Sequence, residues 1–82
     1  MKIVIVGTGY VGLVTGVCFA ELGNSVVCVD NNISKVEMLQ TGTPTIYEEG
    51  LEDLLKKNVA ANRISFTENL ASVVNDADLI FL

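Results

Sequence analysis

A chain of 82 residues that is half apolar and only 18% charged is one domain or part of one, short for burying a self-sufficient core and too hydrophobic for disorder. Its formal charge of −5, from 10 acidic against 5 basic residues with no histidine, provides no basic face to neutralise a phosphate backbone and so argues against nucleic-acid partners. No apolar run approaches the roughly 18 to 20 residues of a membrane span, and no cationic leader with a small-residue cleavage site opens the chain, so a soluble, cytoplasmic protein without a membrane partner is expected.

Lys2 to Val6, apolar at Ile3, Val4, Ile5 and Val6, reads as a first strand. It is central in its sheet, because buried parallel strands carry near-continuous Val/Ile/Leu runs. Gly7-Thr8-Gly9-Tyr10-Val11-Gly12 follows, a G-x-G-x-x-G between a strand and a helix. Gly7 lets the chain leave the strand in a tight turn, Gly9 admits a pyrophosphate where a Cβ would otherwise stand, and Gly12 lets the helix pack closely. The free N–H groups of the helix's first turn then face the phosphates, with the positive end of the helix dipole behind them. Val11, Val14, Thr15, Cys18, Phe19 and Leu22 fall at helical spacing, and this stripe is expected to pack on the sheet. Gly23 ends the helix, and a second strand, Val26 to Val29, leads to Asp30, 18 positions after the third glycine.

Asp30 decides the cofactor. A carboxylate at the end of the second strand accepts hydrogen bonds from the adenosine ribose hydroxyls and repels a 2′-phosphate. No arginine follows nearby to receive one, so NAD is favoured over NADP. In the competing reading Asp30 only starts the next helix, and the glycine turn binds nothing.

Asn31 or Asn32 can cap a second helix to about Gln40, with Ile33, Val36 and Leu39 as its apolar positions. The turn-rich Thr41 to Ile46 holds the sole proline, Pro44. A third helix carries Leu51, Leu54, Leu55 and Val59 on one face, with Glu48, Glu49, Glu52 and Asp53 in its early turns and Lys56 and Lys57 near its end. Such charges mark a solvated face, and Glu48 and Glu49 have no partner in the sequence that would make them an acid–base pair. Ile64-Ser65-Phe66 is a short third strand. Thr67 can cap a final helix with Leu70, Val73, Val74 and Ala77 facing in, and Asp78 to Leu82 begins a fourth strand. The fold class is α/β: a Rossmann-type doubly wound parallel sheet in the order 3-2-1-4, with its site at the carboxyl ends of strands one and two. Because the chain stops inside an apolar run, residues 1–82 are expected to be the N-terminal part of an NAD-binding Rossmann domain within a longer protein. Cys18 and Cys28 lack C-x-x-C spacing and a histidine; both read as small buried hydrophobes in a reducing compartment, and no metal site is expected.

These residues resemble the UDP-glucose/GDP-mannose dehydrogenase family over the whole chain. Met1 to Gly16, with the Gly9-Tyr10-Val11-Gly12 core, is similar to that family's N-terminus. Asp30 with Lys35-Val36 is a second match, and Gly42 through Tyr47-Glu48-x-Gly50-Leu51 is a third, more diagnostic than the first. Glu49 departs from the pattern, which usually has proline there, and its loss should loosen the segment. Tyr47 leans towards the UDP-glucose branch. The resemblance implies an enzyme that oxidises the 6-hydroxyl of a nucleotide sugar to a carboxylate, using NAD and a covalent thiohemiacetal on a cysteine. In the family that cysteine, and the lysine and carboxylate that serve it, lie beyond position 82, so no catalytic residue is expected here. Neither Cys18 nor Cys28 matches the catalytic position. Carried over, Gly7, Gly9 and Gly12 form the phosphate loop, the amides of Tyr10 and Val11 meet the pyrophosphate, and Asp30 and Lys35 hold the adenosine ribose. The resemblance further implies that the full-length protein is a homo-oligomer. Two alternatives stay open. One is another Rossmann oxidoreductase, such as a hydroxyacyl-CoA dehydrogenase or an FAD enzyme, with which the extension to Gly16 is compatible; the other is a non-catalytic NAD-sensing module.

Overall fold

The computed structural model describes residues 1–82. Seven elements follow one another as β1 (Lys2–Val6), α1 (Tyr10–Glu21), β2 (Ser25–Val29), α2 (Ile33–Gln40), α3 (Leu51–Ala60), β3 (Ile64–Thr67) and β4 (Leu79–Phe81). The four strands form one sheet in the order β3-β2-β1-β4, every neighbouring pair parallel, as the sequence predicts. Register puts Ile3, Val26 and Ile64 in one row and Ile5, Cys28 and Phe66 in the next. Side chains alternate along a strand, so both rows share a face. All six are buried, and they form one cluster with Leu13, Val17 and Ala20 of α1, Val36 and Leu39 of α2, and Leu51 and Leu55 of α3. Opposite that face Val4 is buried, Val27 half-buried and Ser65 exposed.

The face that α1 presents to the sheet differs from the expected one. Leu13, Gly16, Val17 and Ala20 are buried, whereas Val11 and Leu22 are 73% and 78% exposed and Cys18 is exposed too. Only Val14 and Phe19 of the expected stripe pack against the cluster, from its margin. The helix is apolar nearly all round, so periodicity does not single out a face, and close approach decides. A Cβ on Gly16 would stand 3.0 Å from Cys28 Sγ and 3.2 Å from Ile5 Cδ1. The helix therefore lies on the sheet through its small residues, and full burial of Leu13 and Val17 contributes about 1.5–3 kcal/mol each.

The helix expected after Thr67 is absent; residues 68–78 run in turns. Polar side chains there bond the local backbone and compete with a helical ladder. Thr67 Oγ1 accepts from the Asn69 amide at 3.2 Å, Asn69 Oδ1 from the Ser72 amide at 3.3 Å, and Ser72 Oγ donates to the Asn69 carbonyl at 2.9 Å. Leu70 is exposed, and Val73 and Val74 are only half-buried. Asn32 is the residue that caps α2, accepting from the Lys35 amide at 3.2 Å. Ile33 is exposed and does not join the core, because it opens α2 outside the Val36–Leu39 face. Helix α3 begins only at Leu51, so Glu48 and Glu49 precede it and Glu52 and Asp53 alone occupy its first turn. Leu54 lies 36% exposed, while Asn58, unremarked in the sequence, is fully buried. It earns that place through its bonds: Asn58 Nδ2 donates to Glu21 Oε1 at 3.1 Å, and its Oδ1 accepts from Arg63 Nε at 2.8 Å. With Lys57 Nζ at 2.9 Å from Glu21 Oε2, these bonds tie the C-terminal end of α1 to α3.

Candidate functional site

β1 and β2 end side by side, Val6 level with Val29, and the Gly7 amide donates to the Val29 carbonyl at 2.7 Å. Gly7 has φ +97°, where a Cβ would be strained. Gly9 is extended and caps α1; a Cβ there would meet nothing within 4 Å. At Gly12 a Cβ would stand 2.3 Å from the Gly7 carbonyl oxygen. Glycine is needed there because the helix closes on its own loop, and Ile5 Cγ2 of β1 lies only slightly farther, at 3.5 Å. Tyr10 and Val11 open the helix on the exposed side. No side chain caps this helix, so the N–H groups of its first turn remain available with the positive end of the dipole behind them.

Two cavities meet over these strand ends. One of about 460 Å³ is lined by Gly7, Gly9, Tyr10, Val11, Gly12 and Phe81 among others, and one of about 380 Å³ by Val29, Asp30, Asn31 and Glu68. Val6 and Gly7 line both, so the two adjoin, with the glycine loop at one end and Asp30 at the other.

Asp30 is heavily partnered. Its Oδ2 accepts from Thr8 Oγ1 at 2.6 Å and from the Thr8 amide at 3.0 Å, and Lys35 Nζ lies 3.6 Å from the same oxygen. Its Oδ1 accepts from the Asn32 amide at 2.9 Å. The Thr8 hydroxyl is the foremost cause that holds the Asp30 carboxyl down to about 2; partial burial opposes it, and the Asn32 and Thr8 amides and Lys35 reinforce it. The expected pair of Asp30 and Lys35 is therefore assembled, and Thr8, 1% exposed, joins it. Thr8 occupies a variable position of the glycine motif and carried no signal of its own. Its partner lies 22 residues away in sequence.

Tyr10 Oη donates to Glu48 Oε2 at 2.9 Å, which raises the tyrosine's pKa and ties the segment before α3 to the start of α1. Glu48 thus has a tyrosine partner, and Glu49 is exposed. Cys28, fully buried beneath α1, has its thiol pushed up to about 12 by burial. No three His, Cys, Asp or Glu side chains are grouped to hold a metal ion. No helix is long and apolar enough to cross a membrane.

Residues 1–82 match the model of the UDP-glucose/GDP-mannose dehydrogenase family, NAD binding domain. The chain is 51% identical over 81 residues to UDP-glucose 6-dehydrogenase TuaD of Bacillus subtilis (strain 168), covering 99% of this chain and 18% of that protein. It is 48% identical to UDP-glucose 6-dehydrogenase of Rhizobium meliloti (strain 1021), covering 100% of this chain and 19% of that protein. The crystal structure of a ternary complex of GDP-mannose dehydrogenase from Pseudomonas aeruginosa superposes with a TM-score of 0.94 at 36% identity, over 98% of this chain and 18% of that one. The chain therefore spans about a fifth of the length of the curated relatives it matches. It belongs to the UDP-glucose/GDP-mannose dehydrogenase family, whose NAD binding domain it matches from Met1 to Leu82.

Proposed function

We propose that residues 1–82 are the N-terminal part of the NAD-binding Rossmann domain of a UDP-glucose 6-dehydrogenase, which oxidises UDP-glucose to UDP-glucuronate with residues outside this chain. The cofactor reading is carried by the groove in which open space at Gly9 and the ionised Asp30 lie on either side of Val6 and Gly7. In this proposal Gly7, Gly9 and Gly12 shape the phosphate loop and the amides of Tyr10 and Val11 bind the pyrophosphate. Asp30, with Lys35 beside it, receives the adenosine ribose. Its negative charge disfavours a 2′-phosphate, which selects NAD over NADP. Bound there, NAD supplies the hydride acceptor, and this chain's residues bind and orient it. The nucleotide sugar is UDP-glucose by analogy with relatives described as UDP-glucose 6-dehydrogenases at 51% and 48% identity. The proposal includes a homo-oligomeric enzyme of the cytoplasm, a compartment that suits the two unpaired cysteines. The test is NADH formation at neutral pH by the full-length protein. UDP-glucose with NAD should be turned over, and GDP-mannose or NADP should support far less. Equal turnover of either pair would overturn the corresponding assignment.

A further inference from the structure

We infer that Thr8 is a positioning residue for cofactor selectivity: it holds one oxygen of Asp30 against the phosphate loop and leaves the other to receive the ribose. This rests on the groove being the NAD site. A carboxylate oxygen has about two lone-pair sites. Oδ2 is filled by the hydroxyl and the amide of Thr8 and has Lys35 Nζ close by. Oδ1 takes only the Asn32 amide, so one acceptor site remains, and it lies on Oδ1. Both Thr8 donors belong to a residue between Gly7 and Gly9. The carboxylate is thereby located relative to the loop itself, and the spacing between the pyrophosphate and ribose positions is set by two short bonds. Otherwise it would depend on the path through α1 and β2. Thr8 is 1% exposed, so no bulk water replaces Asp30 as its partner. The charged groups around Asp30 are Lys35 from α2 and Glu68, which follows β3 and lines the same cavity.

Valine matches threonine in shape and removes only the donor, while serine keeps it. Full-length wild type, Thr8→Val, Thr8→Ser and Asp30→Ala would be titrated calorimetrically with NAD and with NADP at neutral pH. Thr8→Val should weaken NAD on the order of tenfold, because a carboxylate no longer held in place loses much of its charge-assisted bond to the ribose, with NADP affinity unchanged, so the preference contracts by the same factor. Thr8→Ser should restore the preference. Should Thr8→Val not fold, as judged by melting without cofactor, Thr8→Ala carries the same expectation. The inference is overturned if the donor-less variant keeps the wild-type preference while Asp30→Ala loses it. A wild type that does not bind NAD selectively would overturn the NAD reading itself, and this inference with it.

Discussion

Gly9 and Gly12 belong to one motif, yet substitution should separate binding from folding. An alanine Cβ at position 12 would sit 2.3 Å from the Gly7 carbonyl oxygen and 3.3 Å from the Gly7 carbonyl carbon. Carbon–oxygen contacts normally lie near 3.3–3.6 Å, so loop and helix must part by about 1 Å. The obstacle is backbone, and the Gly7 amide is bonded to the Val29 carbonyl at 2.7 Å, so it yields only by loosening the link between β1 and β2. Overpacking of this kind costs about 1–3 kcal/mol. Replacing a helical glycine with alanine returns at most about 1 kcal/mol, and a backbone obstacle puts the clash at the upper end of its range, so Gly12→Ala is left destabilised by roughly 2 kcal/mol. At Gly9 the backbone is extended and a Cβ meets nothing within 4 Å. Gly9→Val should therefore cost little beyond a poorer helix cap, about 1 kcal/mol, while its side chain fills the space proposed for the pyrophosphate. Melting of the full-length protein without cofactor, paired with calorimetric titration of NAD, reads both effects. Gly12→Ala should melt lower, and Gly9→Val should melt closer to wild type and bind no NAD. The reasoning fails if Gly12→Ala melts at the wild-type temperature, or if folded Gly9→Val binds NAD with wild-type affinity.

Acid sensitivity should trace in part to Asp30. Its carboxyl is lowered from 3.8 to about 2 in the fold, a difference equivalent to about 2 kcal/mol at pH 7. Because the folded value is the lower one, this stabilisation is complete above about pH 4 and is lost as pH falls towards 2. Asp30→Asn should lose less stability than wild type across that window in acid-unfolding curves, and equal losses would show that Asp30 contributes nothing there. The two thiols should differ in reactivity: Cys18 is exposed, whereas Cys28 is buried with its thiol raised to about 12. In the native chain a thiol reagent at pH 8 should label Cys18 readily and Cys28 only after denaturant is added. Rapid native labelling of Cys28, read by peptide mass, would contradict the packing of α1 over β2.

Where a local pattern left the chain little choice, the sequence alone was enough. Ile3 to Val6 and Val26 to Val29 are runs of residues that suit a buried strand, and a strand, a glycine turn and a helix in succession permit only a right-handed parallel crossover. That crossover sets β2 beside β1 and brings Gly7 and Asp30 to adjacent strand ends, and the β3-β2-β1-β4 order is the doubly wound continuation of it. The face of α1 was not legible, since apolar side chains surround the helix and the contact that chooses among them is the approach allowed by Gly16 and Ala20 to Cys28 and Ile5. Residues 68–78 carry helix-like apolar spacing, yet side chains of Thr67, Asn69 and Ser72 bond the nearby backbone first, a competition that periodicity does not register. The bonds from Thr8 to Asp30 and from Tyr10 to Glu48 join residues far apart in sequence. A hydroxyl or a carboxylate carries no mark of its partner until the sheet sets β1 beside β2 and the segment before α3 comes to rest beside the phosphate loop, so only the tertiary structure decided how the site is held in place.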